Sequence, residues 1–169
     1  MDLTSPRTIR NIQEQFGFTF KKGLGQNFLT ARNILEEIVD AAEIESGVIE
    51  VGPGFGVLTS ELAQNSDKVV TIEIDERLID VLDYTLAEYD NVKIINEDIL
   101  KLDLKKVIDD EFKGEKVSIA ANLPYYITTP IITKLLEEKL PIKNIVVMVQ
   151  KEVAERMSAK PSTKDYGAI

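Results

Sequence analysis

The side chains of this 169-residue chain that could take part in chemistry are carboxylates, amides and hydroxyls, because histidine and cysteine are both absent. Their absence excludes disulfides, thiolate nucleophiles, imidazole bases and the usual zinc sites. We therefore predict no metal centre. Any reaction must rely on acidic, amide and backbone groups together with a bound organic ligand.

A glycine-rich segment, Glu50-Val51-Gly52-Pro53-Gly54-Phe55-Gly56, joins a predicted strand to a predicted helix. Glycines at such a turn tolerate positive φ and let a ligand approach the backbone closely. The spacing is G-x-G-x-G rather than the G-x-G-x-x-G of dinucleotide-binding proteins, and Pro53 removes a backbone donor. The segment favours a ligand that has no pyrophosphate, although a plain strand-to-helix turn would also explain it.

Acidic residues follow at the ends of the next two predicted strands. Glu73 comes 21 positions after Gly52, where a carboxylate can accept hydrogen bonds from both hydroxyls of a ribose. Asp98, after the third predicted strand, can accept a hydrogen bond from the amine of an adenine, with Ile99 packing on the ring. Asp75 is expected only to cap the next helix.

The segment Asn122-Leu123-Pro124-Tyr125 comes directly after the fourth predicted strand. In isolation Asn-x-Pro predicts a turn. The same residues also suit an exocyclic adenine amine, a poor nucleophile because its lone pair is delocalised into the ring. The Asn122 side-chain oxygen and a backbone carbonyl of the following Leu-Pro could hold its hydrogens and draw the nitrogen toward tetrahedral geometry. Tyr125 offers a ring on which the base can stack, worth roughly 1–3 kcal/mol.

The elements that must position these residues alternate between short apolar strands and helices. We predict strands at Val48–Val51, Val69–Ile72, Val92–Ile95, Val117–Ala121 and Ile145–Val149. We predict helices from a Thr30 cap to Ala42, over Val57–Gln64, from about Glu76 to Glu88, near Leu104–Ile108, over Pro130–Lys139, and through Met157. This alternation indicates an α/β fold with a parallel sheet covered by helices on both faces. Ligands of such sheets bind beyond the carboxyl ends of the strands, near a switch in strand order.

Composition is typical of one soluble globular domain, with 44% hydrophobic and 29% charged residues. No apolar run approaches the roughly 20 residues that span a bilayer, and no secretory signal is evident, so we expect a cytoplasmic protein without membrane contact. The net charge of −9 is unevenly distributed: residues 36–138 carry nine basic and 24 acidic side chains, whereas both ends are net basic. The basic ends could contact the phosphates of a nucleic acid. Alternatively, they could be ordinary termini whose charges are solvated and have no binding role.

These motifs in this order, preceded by Gly25-Gln26-Asn27-Phe28-Leu29, resemble the ribosomal RNA adenine N,N-dimethyltransferase family. The resemblance extends from about Lys21 to Ile169 and is strongest to the bacterial small-subunit enzymes. It implies a Rossmann-like sheet of the kind that binds S-adenosyl-L-methionine. It further implies that the cofactor site is lined by Asn27, Leu29, Gly52, Gly54, Glu73, Ile74, Asp98, Ile99 and Asn122. Asn122, Leu123, Pro124 and Tyr125 would then hold the target adenine.

The family's pattern continues beyond position 169, so we expect a single catalytic domain over residues 1–169, opened by a basic segment over residues 1–24. The resemblance implies further sheet strands, another aromatic contact to the base and a helical RNA-binding domain after that point. We accordingly expect a sheet that is incomplete at its C-terminal strands and a chain with little activity of its own. The expected partner is small-subunit rRNA in the immature small ribosomal subunit, and we expect a monomer if the sheet edge is protected.

Three other functions fit parts of the sequence. A large-subunit rRNA adenine methyltransferase that gives macrolide resistance shares the fold and differs in substrate. A non-catalytic RNA-binding assembly factor would use the fold only as a scaffold, which intact Asn122 and Tyr125 disfavour. A dehydrogenase is disfavoured by the glycine spacing and by Pro53.

Overall fold

The computed structural model describes residues 1–17, 31–123 and 127–163, which form five parallel strands and seven α-helices. The strands are β1 Gly47–Val51, β2 Lys68–Glu73, β3 Val92–Asn96, β4 Val117–Asn122 and β5 Ile142–Met148. The helices are α1 Pro6–Phe16, α2 Arg32–Ala42, α3 Val57–Gln64, α4 Ile79–Thr85, α5 Leu104–Phe112, α6 Thr128–Glu137 and α7 Lys151–Met157, with a 3-10 turn at Glu76–Leu78 before α4. The predicted α/β class and parallel sheet are confirmed.

The strand order β3-β2-β1-β4-β5 places a topological switch at the centre of the sheet. The chain runs outward from β1 to β3, then returns so that β4 pairs with the other side of β1. Val51 at the end of β1 is in register with Ile72 of β2 and with Ala121 of β4. The carboxyl ends of β1 and β4 therefore flank the crevice in which ligands of open α/β sheets bind.

Helices cover both faces of this sheet, as predicted. On one face, side chains of α1, α2, α3 and α4 pack with Val48, Val69 and Ala120 in a single apolar cluster. On the other face, α5 and α6 pack on Ile49 and Ile119. All five residues of β1 are buried, which explains why the central strands are largely apolar and do not alternate between apolar and polar residues.

Helix α1 is a difference from the prediction, which has only a basic segment over residues 1–24. Pro6 lies at the first helical turn, where its missing N–H costs nothing, and Gly17 ends the helix with a φ of 59°. Leu3 and Ile12 are 3% and 2% exposed in the apolar cluster on the first face of the sheet. Burial of these side chains outweighs the polar composition of the segment. Residues 18–24 lie outside the described residues.

Several element boundaries also differ from the predictions. Helix α6 begins at Thr128, two residues before the predicted Pro130. Strand β5 begins at Ile142 rather than Ile145, because Ile142 pairs with Val117 of β4. The predicted cap Asp75 is confirmed, since its carboxylate accepts a hydrogen bond from the Arg77 backbone N–H at 3.1 Å. The predicted cap Thr30 lies outside the described residues.

Strand β5 forms one edge of the sheet among the described residues, where it pairs with β4. All seven of its residues are half-buried. Lys143 ties the strand to the end of α2, because its Nζ lies 2.9 Å from Glu45 Oε1 and donates to the Glu43 carbonyl at 2.9 Å. None of the helices within the described ranges has the length and apolar character required to cross a bilayer.

Candidate active site

The glycine segment forms the loop between β1 and α3 at the switch point. Gly52 has a φ of 71° and its N–H donates to the Ile72 carbonyl at 3.0 Å, so the loop leaves β1 still attached to β2. A Cβ placed on Gly52 would meet no described atom within 4 Å, which leaves open space in front of this backbone. At Gly56, with a φ of 83°, a Cβ would lie 2.9 Å from Leu86 Cδ2. The positive φ values favour glycine at both ends of the loop, and at Gly56 the approach of Leu86 adds a packing reason.

Glu73 at the end of β2 is bonded into this loop. It is 5% exposed, and one carboxylate oxygen accepts from the Asp75 backbone N–H at 2.8 Å. Burial raises the pKa of the Glu73 carboxyl, while backbone N–H groups of Asp75, Gly54 and Ile74 favour its ionised form. The carboxylate therefore joins the glycine loop to the end of β2, and carboxylate oxygens are the acceptors that ribose hydroxyls need.

Asn96, which the sequence analysis passed over, joins the ends of β2 and β3. Its side-chain amide donates to the Glu73 carbonyl at 2.7 Å, and the backbone N–H of Glu97 donates to the same oxygen at 3.1 Å. These two bonds fix the spacing between Glu73 and the turn that carries Asp98. An amide directly after a predicted strand, next to an acidic residue, is the signal that could have identified it.

Asp98 begins the turn that follows β3. Its Oδ1 accepts from the Leu100 backbone N–H at 2.9 Å, and its Oδ2 lies 4.0 Å from Lys101 Nζ. This local bond holds the carboxylate at the same edge of the sheet as Glu73, because β2 and β3 are parallel neighbours. The side chain is 22% exposed, so a ligand amine could reach it.

The two isoleucines that were predicted to contact the ligand differ in exposure. Ile74 is 62% exposed just beyond β2. Ile99 is 5% exposed and packs in the apolar cluster under α5 and α6, whereas Leu100 beside it is 37% exposed. Both Ile74 and Leu100 present apolar surface near the ends of β2 and β3, where the flat face of a base could pack. Leu100 was not among the predicted site residues.

Asn122 is the last residue of β4 and is half-buried. Since Val51 and Ala121 are paired, the next residues along, Gly52 and Asn122, lie side by side at the switch point. Leu123 is 2% exposed and belongs to the core. Four predicted site residues, Asp98, Glu73, Gly52 and Asn122, thus lie at or just after the ends of β3, β2, β1 and β4, along one edge of the sheet.

Four other predicted site residues lie outside the described residues: Asn27, Leu29, Pro124 and Tyr125. Their assignments remain predictions from the sequence. Among the described residues, no group of three or more acidic side chains is placed to hold a metal ion.

Glu50, two residues before the glycine loop, is a charged residue in the core that the sequence analysis assigned no role. It is 1% exposed, and its Oε2 accepts a hydrogen bond from Thr59 Oγ1 of α3 at 2.5 Å. Burial raises the pKa of the Glu50 carboxyl to about 7. Hydrogen bonding by the Thr59 and Thr71 hydroxyls lowers this pKa in part, whereas the nearby charge of Glu73 raises it further.

Comparison with known protein families gives a match over residues 17–169 to the model of the ribosomal RNA adenine dimethylase family. Curated relatives include the ribosomal RNA small subunit methyltransferase A of Bacillus mycoides and of Bacillus cereus. Each is 56% identical to this chain over 171 residues, a match that covers 99% of the chain and 59% of the relative. The chain therefore spans about three fifths of the length of these relatives.

Three solved structures have a similar fold. A dimethyladenosine transferase from Plasmodium falciparum is 36% identical with a TM-score of 0.67, over 79% of this chain and 47% of that one. The 23S rRNA methyltransferase ErmE is 32% identical with a TM-score of 0.68, over 77% of this chain and 50% of that one. A putative RNA methyltransferase from Pyrococcus horikoshii, 19% identical with a TM-score of 0.62, covers 88% of this chain and 78% of that one and shares the fold.

Proposed function

Because this chain belongs to the ribosomal RNA adenine dimethylase family, we propose that it is the catalytic domain of an S-adenosyl-L-methionine-dependent methyltransferase. Its substrate is the exocyclic amine of adenines in small-subunit rRNA, two adjacent adenines each receiving two methyl groups. The observation that carries this proposal is the arrangement of Asp98, Glu73, Gly52 and Asn122 at neighbouring strand ends.

The described residues fit the cofactor. The open space at Gly52 admits a ligand to the backbone, Glu73 offers carboxylate oxygens to the ribose, and Asp98 offers an acceptor to the adenine amine of the cofactor. When bound, S-adenosyl-L-methionine supplies an electrophilic methyl group on a positively charged sulfur. Ile74 packs against the adenine ring, and Ile99 supports it from the core. Gly54, Asn27 and Leu29 complete the set of cofactor residues proposed from the sequence.

Asn122 is proposed to orient the target amine. Its side-chain oxygen and a carbonyl of the Leu123-Pro124 backbone accept the two amine hydrogens, which directs the nitrogen lone pair toward the methyl group, and Tyr125 stacks on the base. Transfer would form the nitrogen–methyl bond as the sulfur–methyl bond breaks, which would leave S-adenosyl-L-homocysteine. The cationic nitrogen would then release a proton to water, so no strong general base would be required. The chain contributes positioning and electrostatic stabilisation, which suits a protein that has no histidine or cysteine.

The proposed setting is ribosome biogenesis in the cytoplasm, with the immature small ribosomal subunit as partner and a monomeric chain. The 56% identity to small-subunit enzymes, against 32% to the large-subunit enzyme ErmE, supports the small subunit as the source of the RNA.

The test measures cofactor binding and methyl transfer on the same preparation. Calorimetry with S-adenosyl-L-methionine should show saturable binding at one site. Labelled methyl should enter immature small subunits and should not enter large subunits. Absence of cofactor binding would overturn the proposal, and labelling of large subunits alone would favour the macrolide-resistance class.

Asn122→Ala distinguishes an enzyme from an RNA-binding scaffold. Methyl transfer should fall below detection while RNA binding is retained, because the amine loses one of its two acceptors. Asn65→Ala, an exposed amide at the far end of α3, is the matched control and should transfer methyl at the unaltered rate. Equal transfer by both variants would contradict a catalytic role for Asn122.

A further inference from the structure

The turn that follows β2 contains an ion pair, Asp75 with Arg77, that is bonded to the proposed ribose acceptor Glu73. The backbone N–H of Asp75 donates to Glu73 Oε1 at 2.8 Å. The Asp75 carboxylate in turn accepts from the backbone N–H of Arg77 at 3.1 Å, which begins the 3-10 turn. The conformation of Asp75 therefore decides where the N–H that holds Glu73 points.

Arg77 binds the Asp75 carboxylate through two side-chain nitrogens. Its Nε donates to Asp75 Oδ1 at 2.8 Å, and its Nη2 lies 2.5 Å from Asp75 Oδ2. Two parallel bonds fix the orientation of a carboxylate as well as its position, which the single charged nitrogen of a lysine does not. The Arg77 side chain is 54% exposed, and exposed ion pairs add little to stability. The consequence of this pair is therefore the geometry that it imposes on Asp75.

Arg77 also compensates a negative charge beside Glu73. Burial raises the pKa of the Glu73 carboxyl, and the nearby charge of Asp75 raises it further. The guanidinium of Arg77 carries a positive charge at the Asp75 carboxylate, so it reduces the repulsion between the two carboxylates. Hydrogen bonds to a charged acceptor are stronger than those to a neutral one. Arg77 thus favours the form of Glu73 that binds hydroxyl groups best.

We propose that Arg77 is a positioning residue for the ribose of the cofactor: its two bonds to Asp75 hold the Asp75 backbone N–H on Glu73 and offset the negative charge beside that carboxylate. The inference rests on the proposed function, because Glu73 is the group assigned there to the ribose hydroxyls. Arg77 acts through Glu73 and requires no contact with the ligand. Asp75 is thus more than a helix cap, since the residue that begins the turn also orients the ribose acceptor.

The experiment measures by calorimetry the dissociation constants of S-adenosyl-L-homocysteine and of its 2′-deoxy analogue. The unaltered chain should bind the parent ligand about tenfold more tightly, because the analogue lacks one donor to a charged acceptor. Arg77→Met keeps the length of the side chain and removes both donors, so binding of the parent ligand should weaken by about fivefold, the upper range for a partly exposed ion pair. Binding of the analogue should weaken by less than about twofold, so the preference for the 2′-hydroxyl should fall to about fourfold.

Three further variants separate the geometry of the pair from its charge. Arg77→Lys keeps the positive charge without the two parallel bonds and should recover only part of the affinity. In a Glu73→Gln background, Arg77→Met should change the affinity by less than about 1.5-fold, because residues that act through one another are not additive. Arg10→Met removes an exposed arginine from α1 and is the matched charge control, which should bind both ligands like the unaltered chain.

The possible results separate this inference from the proposed function. An equal loss of affinity for both ligands in Arg77→Met would reflect a general weakening of the site and would overturn the inference alone. Full affinity in Arg77→Lys would show that charge is sufficient and would overturn the positioning by two bonds. A loss of unreduced size in the Glu73→Gln background would show that Arg77 does not act through Glu73 and would overturn the inference as well. Absence of S-adenosyl-L-homocysteine binding by the unaltered chain would overturn the proposed function and this inference together.

Discussion

At the scale of single residues, the site depends on carboxylates that are held in unusual surroundings. Glu73 and Glu50 lie on the same face of the sheet, in neighbouring strands, and burial raises the pKa of both. Their surroundings differ in one respect. Backbone N–H groups bind Glu73 and favour its ionised form, whereas hydroxyl groups surround Glu50. The surroundings of Glu73 thus suit a charged acceptor for a ligand, whereas Glu50 is part of the core.

Glu73→Gln should weaken the binding of S-adenosyl-L-methionine by about 10- to 100-fold, as measured by calorimetry. The amide replaces one charged acceptor by a donor, and hydrogen bonds to charged groups are worth roughly 1.5–3 kcal/mol. Glu97→Gln removes an exposed carboxylate from the turn after β3 and should leave the affinity within about twofold. An equal loss in both variants would point to net charge rather than to the ribose contact.

Glu50 should make the protein less stable as pH rises. The folded-state pKa of about 7 exceeds the ordinary value of 4.5, so the native state holds its proton through a range in which the unfolded chain releases it. Stability should fall between about pH 4.5 and pH 7 and then level off, a total of about 3 kcal/mol. Urea unfolding should show Glu50→Gln equal to the unaltered chain near pH 4.5 and more stable near pH 8. A constant difference across this range would contradict the ionisation of Glu50 as its cause.

At the scale of elements, periodicity and apolar runs predicted all five strands and the helices that follow them. The position of Gly52, Glu73, Asp98 and Asn122 at one edge of the sheet was predictable because each lies where a strand end and a motif coincide. Their roles in binding stay predictions. Helix α1 was missed because its buried residues are few and lie among polar ones. Its stability comes from tertiary contacts, which the sequence pattern does not indicate. The bond from Glu50 to Thr59 was missed because no local pattern indicates which buried acid meets which hydroxyl.

Ile12→Ala should destabilise the fold by roughly 2–3 kcal/mol, as measured by urea unfolding. Ile12 is 2% exposed in the apolar cluster, and α1 is further attached by the Phe16–Tyr84 ring contact, with centroids 5.5 Å apart. Asn11→Ala, an exposed change on the same helix, should alter stability by less than about 0.5 kcal/mol. A similar, small effect of both variants would mean that α1 contributes little to the core in solution.

At the scale of the whole molecule, the site exists only when the sheet is assembled. Its residues come from four strands that lie far apart along the chain, and the pairing of β1 with β2 and β4 brings them to one edge. The acidic charge of residues 36–138 and the basic charge of both ends are likewise separated along the chain. Cofactor binding and global stability must therefore be linked, since the unfolded chain offers no comparable site.

S-adenosyl-L-methionine should accordingly raise the melting temperature of the chain. At a concentration of about 100 times the dissociation constant the stabilisation is about 2.7 kcal/mol, which corresponds to several degrees for a domain of this size. Glu73→Gln should lose most of this shift at the same ligand concentration, because its occupancy falls with its affinity. Ile12→Ala should melt at a lower temperature yet retain the full shift, because α1 supports the core and carries none of the residues proposed to bind the ligand. A reduced shift in Ile12→Ala at saturating ligand would show that α1 is coupled to the site, contrary to this division of roles between core and site.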